Sequence, residues 1–252
     1  MIAVISPAKS LDFESPLPKL QLSENRFPEQ TERLAGAISN LTRKKLKTIM
    51  PVSDNLIELN RSRYSAFFDQ PERAAIFAYN GDVFTGFEAS SLNDDGLRFA
   101  QGHVRILSGL YGLLRPLDPI RPHRLEMGTK WAPRYRKLTD FWQDRIAKAL
   151  ASDLGDAGDR LIVNLASNEY WAAVKPHVAK LDARIIDVDF RKDGPDGPKF
   201  ISFEAKRARG MMARFICDNH IQDVESLKGF DCDGYRFSAK DSSENNLRFI
   251  RS

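Results

Sequence analysis

Two short, uninterrupted apolar runs constrain this chain most. Residues 1–6, MIAVIS, and residues 160–167, RLIVNLAS, are too short for an ordinary buried helix, and both end abruptly in polar residues. Runs of this length, closed by Ser6-Pro7 in one case and by Asn164 and Ser167 in the other, read as buried strands leaving into loops. Further strands are expected over Ala74–Tyr79, ARIIDVDF (183–190) and KFISFEA (199–205), and the tail GYRFSAKDSSENNLRFIRS reads as a hairpin around a Ser/Asn turn. Between them lie helical patterns: Pro28–Asn40; Thr42–Met50, capped by Thr42 and stopped by Pro51; and one opened by Ser53 with Leu56, Leu59 and Tyr64 in phase. Others run from an Asn93-Asp94-Asp95 cap through Phe99 to Val104, and over Thr139–Leu154 with Phe141, Trp142, Ile146 and Leu150 inward. NEYWAAV, stopped before Pro176, and KRARGMMARFICDN complete the set. Residues 10–28, punctuated by Pro and Ser, are expected to wrap the surface. With no linker and no internal repeat, the reading is one domain over residues 1–252, of α/β class (α+β being the alternative), with a mixed β-sheet and surrounding helices.

Charge matters here through its position. The chain carries a formal net charge of only +4 over 252 residues, with 42% apolar and 29% charged residues. Residues 103–137 nevertheless hold eight Lys/Arg against Asp118 and Glu126, and residues 199–214 hold five against Glu204. Two segments thus carry more than the whole net charge, and the remainder is slightly acidic, which points to anionic partners at local patches. Two cysteines, Cys217 and Cys232, without a CxxC or Cys/His cluster, indicate neither a structural zinc nor a disulfide framework. His103, His123, His177 and His220 show no metal spacing, so no metal or cofactor is expected. No stretch approaches a membrane span and no export signal opens the chain, so the expected location is the cytoplasm, as a monomer.

The segment HVRILSGLYGLLRPLDPIRPHRLEMG (103–128) sets Arg105, Arg115, Arg121 and Arg124 on an apolar frame stiffened by Pro116, Pro119 and Pro122. Helix, SGLYG turn, then LL partly fits a helix-hairpin-helix-like element around 103–120, in which Ser108, Gly109 and Gly112 would turn backbone N–H groups toward a phosphate. The glycines are three apart, and Pro116 truncates any second helix; a turn followed by a basic loop fits equally. In the second basic block, Lys206 and Arg209 lie one turn apart and Arg207 and Arg214 two turns apart, while Met211, Met212, Phe215 and Ile216 take the buried side. Guanidinium groups at that density suit phosphate oxygens.

Polar residues just past strand ends form a second constellation, since open α/β sheets gather ligands there. Ser6 and Lys9 follow the first strand, Asp82 the second, and Asn164, Ser167, Glu169 and Tyr170 the most apolar one. With Arg124 and Glu126 they can line one cleft, in which Glu126, Glu169 and Lys9 would be candidate acid, base and anion holder; capping by Ser167 and a turn at Asp82 are the structural readings of the same residues. The serine-hydrolase signatures S-x-x-K at Ser6–Lys9 and S-D-N at Ser53–Asn55 lack their K-T-G companion and read as coincidence.

Taken together, ISPAKSLDF, NGDVFTGF, LSGLYGLLRPLDPIRPHRLEMG, NLASNEYWAAVKP, AKRARGMMARFI and the closing GYRF…LRFIR resemble, in order and over the whole chain, the YaaA family of peroxide-stress-resistance proteins, also called DUF328 or UPF0246. The resemblance implies a role in surviving hydrogen peroxide, a limit on unincorporated intracellular iron, an α/β fold of the family's own, and DNA binding through a basic cleft and a helix-hairpin-helix-like element. Carried onto this sequence, the hairpin falls on Ser108–Arg115 and the cleft cations on Lys9, Arg115, Arg124, Lys206, Arg209 and Arg214; no catalytic residues come with it. The leading expectation is therefore a protein that binds duplex or structured DNA without strong sequence specificity and protects it under peroxide stress. An enzyme acting on a small phosphorylated or nucleotide-like substrate is the alternative, and a redox sensor at Cys217 or Cys232 a third reading.

Overall fold

The apolar runs become the centre of a seven-stranded sheet. A computed structural model describes residues 1–17, 19–155 and 160–252; Pro18, within the segment expected to wrap the surface, lies outside them. In chain order the strands are β1 Ile2–Ile5, β2 Ser10–Leu11, β3 Arg73–Ala74, β4 Tyr79–Asn80, β5 Val104–Ser108, β6 Gly112–Leu114, β7 Pro119–Ile120, β8 Leu161–Leu165, β9 Arg184–Lys192, β10 Tyr235–Phe237 and β11 Asn246–Arg251. The main sheet has the order β10-β11-β9-β8-β1-β5-β6. β11, β9, β8, β1 and β5 are mutually parallel, and antiparallel β10 and β6 close the two edges. β1, β5 and β8 are buried at every position, as strands covered on both faces must be. The fold is α/β with a mixed sheet, as expected.

The helices are α1 Pro28–Ser39, α2 Arg43–Ile49, α3 Asp54–Ser65, α4 Ala75–Ala78, α5 Asp82–Phe87, α6 Asp94–His103, α7 Leu138–Trp142, α8 Arg145–Leu154, α9 Asn168–Trp171, α10 Ser202–Asp218 and α11 Val224–Leu227. Thr42 and Asn93 cap α2 and α6 through their side chains, as their types predict, whereas Ser53 precedes α3 without a capping hydrogen bond. α10 lies across β9, β8 and β1 and against α5 and α6. It approaches α5 closely because glycines face each other's backbones: a Cβ on Gly210 would stand 1.8 Å from the Val83 carbonyl oxygen, and one on Gly86 2.1 Å from that of Arg207.

Four expectations are corrected. Ala74–Tyr79 is not a strand: Ala75–Ala78 form a helical turn between two-residue bridges, β3 to β7 and β4 to β2. A short apolar run does not distinguish strand from buried helical turn. KFISFEA is not a strand either; Ile201 precedes the first turn of α10, which leaves Phe203 exposed. Thr139–Leu154 breaks at Gln143, whose φ of 49° interrupts the helix between α7 and α8.

The fourth concerns residues 103–120, which form no helix-hairpin-helix. α6 ends at His103, and Val104 starts β5, which turns through Ser108–Gly112 into antiparallel β6. Leu110 and Tyr111 at the tip are fully enclosed. Ser108 Oγ accepts the Tyr111 N–H at 3.1 Å and Tyr79 Oη–H at 3.4 Å. The glycines serve packing: a Cβ on Gly109 would meet the Leu125 carbonyl oxygen at 2.2 Å, and Gly112, at φ 72°, lies against the Trp142 ring.

Candidate functional site

The arginines of the basic segment are stapled into the fold, each to a carboxylate. Arg105 pairs with Asp153 at 2.5 Å, Arg115 with Asp118 at 3.0 Å, Arg121 with Glu72 at 2.9 Å and Arg124 with Glu126 at 2.8 Å. Arg115 also donates to the Glu24 carbonyl, tying the 10–28 wrap to the sheet edge. Arg214 is likewise engaged: it grips Asp218 and donates to the Phe87 and Glu88 carbonyls and to Ser91. Arg115 and Arg214 are therefore engaged within the fold and Gly112 packs against Trp142, whereas Ser108 and Gly109 line a small recess together with Lys9, Arg124 and Glu126. Arg105 and Arg121 are answered by acids from elsewhere in the chain, Arg115 and Arg124 by acids of the segment itself.

The remaining candidates converge. A cleft of about 1290 Å³ opens at the carboxyl ends of β1 and β8, whose following segments diverge to opposite sides of the sheet. Such a divergence is where open α/β sheets hold ligands. Ser6 and Ser167 join the two strand ends, the Ser167 N–H donating to Ser6 Oγ at 2.8 Å. Asn164 donates to Asp187 at 2.7 Å and accepts the Ala166 N–H, fixing the floor. β9 runs on beyond the end of β8, so Asp189 and Arg191 reach the wall. α10 supplies Lys206 and Arg209, the loop after β1 supplies Lys9, and α9 supplies Glu169 and Tyr170.

These cations are not equivalent. Lys206 has a loose partner in Asp82 at 3.7 Å, and Lys9 a close one in Glu126 at 2.9 Å. Arg191 is held by Asp189, which Arg248 also engages. Arg209, largely buried, has no hydrogen bond or ion pair among the described residues, and its Nε is enclosed without an acceptor. Burial lowers its pKa from the ordinary arginine value, with attraction to Asp189 opposing. It remains charged at any physiological pH, so the fold carries a cation that none of the described residues neutralises at hydrogen-bond range.

In a small recess that shares Lys9 and Tyr170 with the cleft, Glu126 bridges Lys9 and Arg124. Burial raises its pKa, but the hydrogen bonds from Lys9 and Arg124 together lower it further than burial raises it. Ionised at neutral pH, Glu126 is unsuited to the role of proton donor. Glu169 accepts the Gly128 N–H at 3.1 Å. Burial first, then the charges of Glu169 and Glu126, push the Tyr170 hydroxyl pKa upward. Ser167 opens α9 without capping it, its hydroxyl turned to Ser6. His123 is enclosed beside this corner, with Nδ1 2.7 Å from the Arg121 carbonyl and its pKa pushed by burial down to about 4, so it is neutral.

Sequence reasoning missed Lys175, Asp189, Arg191 and Phe200 on the cleft wall. For Asp187 and Asp189 a signal was present: they alternate with Ile186, Val188 and Phe190, all buried, so one face of β9 is polar. Neither thiol is poised to react with peroxide. Burial, then Asp218, pushes buried Cys217 up to about 12, and burial with Asp231 and Asp218 raises Cys232. Among the described residues, no three His, Cys, Asp or Glu side chains converge as metal ligands, and no helix is long and apolar enough to cross a membrane.

Fold and cleft define an α/β protein with a polar, cation-walled cleft at the carboxyl ends of its parallel strands. The family described as "Peroxide stress protein YaaA" matches residues 1–241. A UPF0246 protein of Rhizorhabdus wittichii is 53% identical over 253 residues, covering 100% of both chains. UPF0246 proteins of Alteromonas mediterranea and Idiomarina loihiensis are 48% and 46% identical, covering 100% of this chain and 98% and 99% of theirs. The chain belongs to the YaaA peroxide stress protein family.

Proposed function

We propose that this peroxide-stress protein binds nucleic acid through phosphate contacts in the cleft. The observation that carries the reading is Arg209, a largely buried guanidinium without a hydrogen-bonding partner, facing a cleft that also holds Lys206 and Lys9. A buried unpaired charge is costly, and a phosphate would supply the missing acceptors bidentately. Phosphate contacts position a strand without reading its sequence, so binding is expected to show little sequence preference. The test is affinity for a short oligonucleotide as a function of salt. Lys206→Ala and Arg209→Ala should each reduce the magnitude of the log K against log[salt] slope by about 0.7–0.9. Arg115→Ala and Arg214→Ala should leave it unchanged. Equal slopes in wild type and the cleft variants would remove the cleft from the interface. The iron-limiting role implied by the family is a further proposal, tested by chelatable iron in peroxide-treated cells that rely on Arg209→Ala.

A second reading draws support from a different observation, the convergence of Lys9, Glu126 and Glu169 beside Tyr170. This corner suits an enzyme acting on a small phosphorylated or nucleotide-like substrate, with Lys9 holding the anion and a carboxylate acting as base. Conversion of nucleotides by the wild type, lost in Glu169→Gln, would establish it; no turnover across a nucleotide panel would dismiss it.

A further inference from the structure

The eight cations of residues 103–137 divide in the fold into two equal sets. Arg105, Arg115, Arg121 and Arg124 are tied to carboxylates. Lys130, Arg134, Arg136 and Lys137 are all exposed, and their side chains make no ion pair or hydrogen bond among the described residues. No acid lies between Glu126 and Asp140 to answer them. They stand on a short hairpin: Ala132 and Tyr135 exchange backbone hydrogen bonds at 3.2 and 3.0 Å, and the Leu138 N–H donates to the Thr129 carbonyl at 3.0 Å. Thr129, Ala132 and Leu138 are buried and the Tyr135 ring stands edge-on to Phe141, so apolar contacts anchor the hairpin while its charges face solvent. Its turn is Pro133-Arg134. Proline suits the first turn position, but Arg134 takes a φ of 70°, a left-handed conformation that glycine or asparagine adopts more readily. Left-handed residues other than glycine gather at sites where the side chain is used.

We propose that this hairpin is a second phosphate-contact element, gripping the nucleic-acid backbone where it leaves the cleft. The inference rests on the phosphate-binding reading of the cleft and adds a site outside it. The two are joined at the root of the hairpin, where the Gly128 N–H donates to Glu169, which lines the cleft. Arg134 follows Gly128 by six residues, a reach of at most about 20 Å for a fully extended chain. That is the rise of about six base pairs, so a backbone passing out of the cleft beside α9 meets the hairpin within one helical turn. Four cations distributed over both strands and the turn match a chain of phosphates better than one small anion. Contacts of this kind add affinity and fix the path of the backbone without reading its sequence.

The experiment measures affinity against salt for a labelled duplex of about twenty base pairs, with the full chain and with Arg134→Gly, Arg136→Gln and Lys137→Gln, beside vesicles of phosphatidylglycerol. Each variant should lower the magnitude of the log K against log[salt] slope by about 0.9, and Arg134→Lys should restore it. Glycine accepts the left-handed turn, so Arg134→Gly should keep or raise the melting temperature while it loses the contact. Wild-type slopes in all three hairpin variants, with a reduced slope in Arg209→Ala, would overturn the hairpin contact and leave the cleft reading intact. Reduced slopes in the hairpin variants with none in Arg209→Ala and Lys206→Ala would overturn the cleft reading and, with it, the backbone shared by the two sites. Vesicle binding lost in the hairpin variants while duplex binding stays unchanged would assign the hairpin to an anionic membrane and overturn the proposal.

Discussion

The backbone N–H of Ser167 donates to Ser6 Oγ at 2.8 Å, and Ser6 Oγ–H donates in turn to Ser167 Oγ at 3.3 Å. Residues 161 apart in sequence thereby lock the ends of β1 and β8 at the floor of the cleft. The two hydroxyls are unequal: only that of Ser6 satisfies a backbone donor. Ser6→Ala should therefore lower stability by about 1–2 kcal/mol, because the Ser167 amide loses its acceptor. Ser167→Ala should cost less. Chemical denaturation of the two variants side by side decides it, and equal losses would show that the amide is not held by this bond.

The glycine contact between α5 and α10 makes a sharper prediction. Gly210→Ala drives a Cβ into the Val83 carbonyl and the Phe87 amide, both backbone atoms that cannot swing aside. It should destabilise the fold by at least about 1–3 kcal/mol and weaken ligand binding by moving the helix that carries Lys206 and Arg209. Gly36→Ala in α1, where a Cβ meets nothing within 4 Å, should instead stabilise by about 0.4–1 kcal/mol. A melting temperature for Gly210→Ala at or above wild type would refute the close approach.

The arginines should divide into two classes by thermodynamics alone. Asp153 receives both Arg105 and Arg26 at 2.5 Å in a nearly enclosed site. Asp153→Ala leaves two guanidinium groups without their shared carboxylate and should cost about 3–5 kcal/mol. Arg209→Met removes a charge with no partner and should leave stability unchanged or raise it by about 1 kcal/mol, while abolishing binding. A large loss of stability in Arg209→Met would mean that the fold itself depends on that guanidinium.

Acid should weaken the fold through His123. Its pKa is about 4 when folded, against 6.5 for the ordinary side chain. At neutral pH both states are uncharged and the group contributes nothing. As pH falls through 6.5 the unfolded chain takes up the proton first, so stability drops between about pH 6.5 and 4, by up to about 3 kcal/mol. Below pH 4 the folded state binds it too and the loss from this group stops growing. Urea midpoints across this range should fall more steeply in wild type than in His123→Gln; parallel curves would assign the acid sensitivity elsewhere.

What the sequence made legible follows from what was local. β1 and β8 announce themselves as apolar runs ended by polar residues, and those residues do line the cleft. α2 and α6 are declared by Thr42 and Asn93. The strand β5 was hidden because Arg105 interrupts it, and the partner that permits a buried arginine there, Asp153, comes 48 residues later. The same remoteness disguised Arg121, answered by Glu72, and Arg214, answered by backbone carbonyls at Phe87 and Glu88. Counting cations along a segment therefore overstated its free charge. Phe200 and Phe203 misled in the opposite direction: aromatic residues alternating with polar ones suggest a strand, but here they open a helix and remain at the surface.

The place of β1 has a consequence for how the chain is made. β1 sits in the interior of the sheet, with Ala3 paired to Val104 on one side and to Val163 on the other. Its second hydrogen-bonding edge stays unclaimed until Val163 has followed it in the chain, a topology that slows folding and keeps a sticky apolar segment waiting.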